Sequence, residues 1–425
     1  MQLTVTEQAI LNGEKGEIMA KVMKTLVMYG EAFGAERMAP VSGKNGHIVT
    51  SFGLSMMKPV YRLMDTLLES GATSSQPFSA NPRPLDKRVP SNLLQKIVFK
   101  VMYGKQEYYE AQLRKLGILG DDFFTCTCYM DEVGNAPKEG DILSWAESSA
   151  VVYANSVLGA RCNRNSGIIE IFGSIAGCVP SFGLLTDEGR RATWIVEIKT
   201  TGKPEAQVLG SAIGMKVMED VPYIRGLDKF IGKSLTQEVK DYLKDMGAAT
   251  ASNGAVGLYH VENLTPEAAA QGAALIAKNA KTYIIDDAEL RSVKDGYPCI
   301  WANKGAPPKL AFVGCPHLSL QQMKNWTYKV TEALKAANRT RVAIPTVFTA
   351  SPGVLDAFEK TEEFALLKNA GVAVSYICPL MYMNNPMCGK MPVITNSNKL
   401  RTYTSARYYT DDEMLKAITT GGKQK

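Results

Sequence analysis

Two cysteines of this chain stand where short apolar runs give way to proline. Cys315 follows Leu310–Val313 within Gly314-Cys315-Pro316-His317, and Cys378 follows Val372–Ile377 and precedes Pro379. In an open parallel α/β sheet, ligands sit beyond the carboxyl ends of the strands. Neighbouring strands would therefore carry both thiols to one crevice. A proline beside each removes a backbone donor and stiffens the loop, which suits a side chain that must be held. Position alone leaves the alternative that each is a packed thiol at a strand end. A further pair lies in Phe124-Thr125-Cys126-Thr127-Cys128-Tyr129. Its C-x-C spacing is too tight for the usual C-x-x-C zinc or ferredoxin arrangement. Three thiolates from distant segments would bind an iron centre and leave one position open. An open iron is a Lewis acid that makes a hydroxyl a better leaving group.

Two polar stretches offer the groups such chemistry needs. Glu147 is flanked by Ser148 and Ser149 and followed by Asn155 and Ser156. Carboxylate, hydroxyl and amide side chains together can position a substrate or relay protons. Arg161 and Arg164 can hold a carboxylate through paired N–H bonds. The same residues also read as a helix cap with surface arginines. Of the three histidines, His317 lies two residues from Cys315, while His47 and His260 have no such neighbour. The glycines of Leu209–Gly214 lack the order and spacing of a dinucleotide fingerprint, and no phosphate-binding P-loop is present. A nucleophilic Cys126 or Cys128 would need a histidine base that sequence alone does not place.

These groups need elements to position them. A helix is expected over Thr6–Phe33, where Ile10, Ile18, Val22 and Leu26 recur at helical spacing, another around Met56–Leu68, and another over Leu93–Leu116. Ser74–Pro90 is rich in turn residues and reads as a loop. Strands are expected at Val256–Val261, Tyr283–Ile285, Leu310–Val313, Val342–Phe348 and Val372–Ile377. Helices should alternate with them, one capped at Thr265 ahead of Pro266 and one by a Ser319/Gln322 box. That alternation argues for an α/β architecture of mainly parallel sheets flanked by helices. Three stretches follow: a mostly helical 1–120, an α/β 121–255 with the polar motif, and an α/β 256–425 with Cys315 and Cys378 at strand ends.

Bulk properties exclude several classes. At 425 residues, 45% hydrophobic and 21% charged, the chain can bury a sizeable core and is not disordered. The excess of 48 basic over 42 acidic residues is mild and spread out, so no nucleic-acid surface is expected. No apolar run approaches the roughly 18 residues of a membrane span, and the N-terminus does not read as a secretory signal. A cytoplasmic, non-membrane protein is expected. Its eight cysteines are then ligands, reactive thiols or small core residues, not disulfides.

The run from Trp145-Ala146-Glu147-Ser148-Ser149 through Asn155-Ser156 to Gly159-Ala160-Arg161 and Asn163-Arg164 resembles the signature of the aconitase X family. So do Gly314-Cys315-Pro316-His317, Thr395-Asn396-Ser397-Asn398-Lys399, and Leu11–Gly16 with Gly34-Ala35-Glu36. The likeness covers nearly the whole chain. It implies a hydro-lyase large subunit of the aconitase superfamily, acting on a small 3-hydroxy carboxylate such as cis-3-hydroxy-L-proline or phosphomevalonate. By motif, the resemblance gives Cys126, Cys315 and Cys378 as ligands of an iron–sulfur cluster ([4Fe-4S] or [2Fe-2S]) or of mononuclear iron. Glu147, Ser149, Asn155, Arg161, His47, His317 and Lys399 become the residues for positioning or proton handling. The family's small swivel domain, which supplies a catalytic serine, is not found in the sequence and is expected on a separate subunit. A non-catalytic iron-binding scaffold or regulatory subunit is the competing reading. Cys128 and Cys162 stand where the family usually has proline and threonine, and Ser75–Asn81 departs from its usual Val-Pro-Thr-Thr-Leu-Asn.

Overall fold

The computed structural model of the chain describes residues 1–421. Two parallel sheets organise it. One has four strands in the order His260–Val261, Pro222–Arg225, Ala192–Ile198, Ile276–Ile285. The other has five, in the order Val372–Ser375, Thr346–Ala350, Leu310–Leu318, Val393–Thr395, Arg407–Tyr408. The central strand of the second sheet is buried along its full length, as a strand covered on both faces must be. Helices flank both sheets, so the α/β architecture expected from the alternation of elements is the one observed. Among the described residues, no helix is long and apolar enough to cross a membrane.

Around this frame the N-terminal helices Glu17–Ala32, Lys58–Glu69 and Gln106–Leu116 pack with Gly167–Ala176 into a separate apolar core. The helices expected over Thr6–Phe33 and Leu93–Leu116 are each two. The first breaks between Val5–Leu11 and Glu17–Ala32, where Gly13 and Gly16 take φ of 93° and 92°, a conformation that suits glycine and ends helices. The second breaks between Leu93–Met102 and Gln106–Leu116 at Tyr103-Gly104-Lys105. The Ser319/Gln322 capping box forms as expected. Thr265 does not cap with its side chain; its hydroxyl accepts from the Val261 amide instead.

The helices Ala206–Val217 and Gln237–Asn253 lie against each other over the first sheet. Glycine sets their separation. A Cβ on Gly210 would sit 2.2 Å from the Met246 carbonyl oxygen, and one on Gly214 would sit 2.6 Å from that of Thr250. Backbone cannot yield as a side-chain tip can, so Gly210→Ala should cost about 1–3 kcal/mol. A thermal melt should show a midpoint several degrees lower, and an unchanged midpoint would contradict the close approach.

Candidate active site

The strand Leu310–Leu318 is not regular. Val313 pairs with Phe348 and Leu318 with Ala350, so Gly314–His317 bulges out opposite Thr349 alone. The expected strand end and the motif after it are therefore one strand with an excursion. Gly314 makes the excursion possible: its φ is 108°, and a Cβ there would meet the Thr349 carbonyl oxygen at 2.4 Å. Cys378 follows Val372–Ser375, the edge strand of the same sheet, separated from Leu310–Leu318 by Thr346–Ala350, and is the N-cap of the short helix Pro379–Met383. Cys126 arrives differently. Phe124 bridges to Ala80, the last residue of Phe78–Ala80, and the Thr125 amide donates to the Ala80 carbonyl. Extended pairing thus aims the following residue at the second sheet.

The three thiols line one enclosed cavity of about 60 Å³, with Glu147, Lys399, His317, Phe52, Pro82, Pro379, Leu380 and Met381. Burial pushes all three thiols up, Cys126 to about 12. A cluster of buried thiols beside an ammonium is a donor set suited to a soft cation. Among the described residues, no group of His, Cys, Asp or Glu is already drawn to metal-ligand spacing. The cysteines share a wall rather than a closed ligand cage. Thiolates close on a cation only when they bind it, so a shared wall is the expected arrangement of the free chain.

His317 ties the three cysteine segments together. Its amide donates to Cys126 Sγ at 3.4 Å, its Nδ1 lies 3.1 Å from Thr125 Oγ1, and its Nε2 lies 2.9 Å from the Ile377 carbonyl oxygen. A carbonyl only accepts, so Nε2 carries the proton and Nδ1 accepts from threonine. Both ring nitrogens are used, and burial lowers the imidazole to about 4. His317 is a neutral strut that spans Thr125, its own strand and the residue before Cys378.

Glu147 caps the helix Ser148–Ser156, accepting from the Ser149 amide. Its Oε1 also accepts from Ser149 Oγ at 2.9 Å and from the Lys399 ammonium. Lys399 Nζ lies 3.2 Å from Ser149 Oγ, which closes a triangle. Burial would raise the Glu147 carboxyl, but the Lys399 ammonium outweighs it and holds the group below the usual carboxylate range. Burial would likewise lower Lys399, yet Glu147 and the neighbouring thiols keep it charged. The motif Thr395–Lys399 is built for this. Ser397 Oγ donates to the Cys315 carbonyl, and Asn398 donates twice to Gln207, from Nδ2 to the backbone oxygen at 2.7 Å and from its backbone amide to Oε1 at 2.9 Å. The second sheet is thereby fastened to the helix Ala206–Val217 of the first, with Lys399 at the seam.

His47 sits in the short strand Gly46–Ile48, paired in register with Ser79 and bridged to Trp145. Its Nδ1 lies 2.9 Å from Ser79 Oγ, while buried Nε2 has no partner. Ser79 Oγ also accepts from Asn135 Nδ2 and lies 3.5 Å from the Gly46 carbonyl oxygen, to which it can donate. Burial lowers this imidazole to about 4.

Two expected site residues belong elsewhere. Arg161 is half-buried, donating to the Leu185 carbonyl and pairing with Asp187 at 2.5 Å. Asn155 is a buried clamp: it donates to the Cys162 and Gly257 carbonyls and accepts from the Cys162 amide, all at 2.8 Å. Both hold the loop after the helix Ser148–Ser156 in shape, which explains why they sit inside the polar motif. The extra thiols are buried apart: Cys162 Sγ lies under the Trp145 carbonyl, and Cys128 is fully buried in the core around Trp145. The sequence reading missed Phe52, whose φ of 51° is unusual for an aromatic residue and places it on the cavity wall. It carries no signal in sequence. Ser397 lies inside the Thr395–Lys399 motif, and its type alone indicates no role.

A second, larger cleft of about 360 Å³ lies on the far side of Gly314-Cys315-Pro316, between the two sheets and lined among others by Lys203, Glu205, Asp245 and Asn396. Burial raises Glu205 to about 7, against the opposing hydrogen bond from Tyr408 at 2.5 Å. The folded chain then keeps a proton that the unfolded chain releases near 4.5. The folded state binds more protons in that window, so stability should fall as pH rises from about 4.5 to about 7, by on the order of 3 kcal/mol for this group, and level off above. Urea midpoints at about pH 5 and about pH 8 should converge in Glu205→Gln; an unaltered difference would contradict the assignment.

The geometry has close parallels. Residues 1–188 match the family model for the aconitase X first domain, and 192–295 that for the aconitase X second domain. The phosphomevalonate dehydratase large subunit of Thermococcus kodakarensis is 33% identical over 373 residues, 85% of each chain. The cis-3-hydroxy-L-proline dehydratase of Pseudomonas aeruginosa is 26% identical over 95% of this chain and 66% of its own length. The crystal structure of Thermococcus kodakaraensis aconitase X in its holo-form superposes with a TM-score of 0.79 at 29% identity, covering 99% of this chain and 100% of that one. With two family models spanning most of its length and these dehydratases as relatives, the chain belongs to the aconitase X family of carbon–oxygen lyases.

Proposed function

We propose that this chain is the large subunit of a phosphomevalonate dehydratase. The observation that carries the reading is the convergence of Cys126, Cys315 and Cys378 with the Glu147–Ser149–Lys399 triangle on one enclosed cavity. Relatives bearing that name match at 29–33% identity, the first over 85% of its length. The cis-3-hydroxy-L-proline dehydratases match less closely, at 26% identity. The name large subunit borne by the first relatives supports a separate small subunit, on which the catalytic serine of the family resemblance would reside.

The thiols of Cys126, Cys315 and Cys378 would hold the iron centre, which when bound supplies Lewis acidity toward the leaving hydroxyl. The chain's own residues do the rest. His317 sets the spacing of the cysteine segments and does not exchange protons. Lys399 brings a fixed positive charge to the wall, where it stabilises negative charge developing on departing oxygen. Glu147 and Ser149 orient that ammonium. His47, buried, keeps its Nε2 free of any partner among the described residues. Phe52, Pro82, Leu380 and Met381 keep bulk water from the cavity. The proton alpha to the carboxylate would leave to a base on the partner.

The test is to reconstitute the chain anaerobically with iron and its small subunit, then follow alkene formation by proton NMR with phosphomevalonate and with cis-3-hydroxy-L-proline. Water loss from phosphomevalonate supports the proposal. Turnover of hydroxyproline alone would move the substrate, and iron binding without turnover of either would favour a scaffold subunit.

A further inference from the structure

Three arginines stand close together in the segment behind Glu147, and two of them are fully engaged. Arg161 pairs with Asp187 and the Leu185 carbonyl. Arg190, buried, makes two hydrogen bonds to Glu267 at 2.7 and 2.9 Å and others to Leu184 and Asn155. Arg164 is different. Its Nη1 is buried with no hydrogen-bond partner. No carboxylate among the described residues pairs with it, and the charged or titratable groups that reach it are Tyr403 and Glu147. Glu147 is already committed to Lys399 and Ser149.

The position is built, not accidental. The preceding Asn163 anchors the loop through the Phe182 carbonyl at 3.0 Å and the Leu184 amide at 2.8 Å. The Arg164 stem lies against Gly257, where a Cβ would meet Arg164 Cγ at 3.1 Å and Leu184 Cδ1 at 2.8 Å. Asn155 in turn holds the Gly257 carbonyl. A guanidinium is expensive to bury without a counter-anion, so a fold that clamps its stem and withholds an acid has left the anion to a ligand. The guanidinium fork suits an oxyanion with two coplanar or adjacent oxygens.

We infer that Arg164 is an oxyanion receptor, taking a carboxylate or a phosphate on its unpaired guanidinium edge. Arg164 stands outside the lining of the thiol cavity; that the anion is the substrate's own rests on the dehydratase reading. Arg161, which shares its motif, has no part in it.

Two measurements on the full-length chain test this. Phenylglyoxal modification mapped by mass spectrometry should label Arg164, and either inorganic phosphate or succinate should protect it. Protection by phosphate assigns the phosphate end of the substrate, and protection by succinate assigns a carboxylate. Calorimetric titration of the same probe should show binding weakened roughly tenfold or more in Arg164→Gln, partly restored in Arg164→Lys, and unchanged in Arg161→Gln. Failure of both probes to protect or bind, or equal binding by Arg164→Gln, would overturn the inference. The protection experiment uses the unaltered chain, so an unstable variant does not leave the question open. Neither measurement needs iron or turnover, so a failure here is distinct from a failure of the dehydratase reading.

Discussion

Cys315→Ala should abolish turnover and lower iron affinity by more than about 100-fold, the upper range reported for removing mere supporting contacts around a metal. The thiol lies on the bulge of the central strand and belongs to the wall shared with Cys126 and Cys378. Its carbonyl accepts from the Ser397 hydroxyl. Replacing the side chain therefore removes a ligand while leaving that hydrogen bond in place. The melting temperature should move little. Cys162→Ala is the matched control, since its sulfur is buried under Trp145 away from the cavity, and should keep iron and activity. Equal iron in both variants would remove Cys315 from the ligand set.

Lys399→Met should destabilise the chain by about 3–5 kcal/mol, because it leaves the Glu147 carboxylate buried without its counter-charge. The side chains are similar in length, so packing changes little and charge accounts for the loss. Glu147→Gln should be costly for the mirror reason. The double variant should lose less than the two single losses combined, since neither charge is then stranded. Urea unfolding of the four proteins measures this directly. Additive losses would show that the pair is not coupled. All three variants should also lose turnover, because the positive charge on the cavity wall is missing or misdirected.

The sequence made the strand-end cysteines legible because apolar runs followed by Cys-Pro are a local pattern. The parallel α/β architecture was legible for the same reason, through alternating apolar runs and capped helices. What was hidden is long-range. Nothing local in Phe124–Tyr129 shows that Thr125 pairs with Ala80, yet that pairing brings Cys126 to Cys315. Nothing in Arg161 or Arg164 distinguishes them by type; Asp187 takes the first, and no acid among the described residues pairs with the second. Asn155 looked like a substrate contact because buried clamps and binding residues share the same polar chemistry. The helix breaks near Gly13 and Gly104 were missed because apolar spacing persisted across them.

The central claim is that three thiols from distant segments hold iron in one cavity. Iron and acid-labile sulfide content of the unaltered, anaerobically reconstituted chain, read with its visible spectrum, tests that most directly. The account predicts bound iron with a thiolate-to-iron absorption band. A colourless chain without iron after anaerobic reconstitution would contradict it and leave the family fold without its expected chemistry.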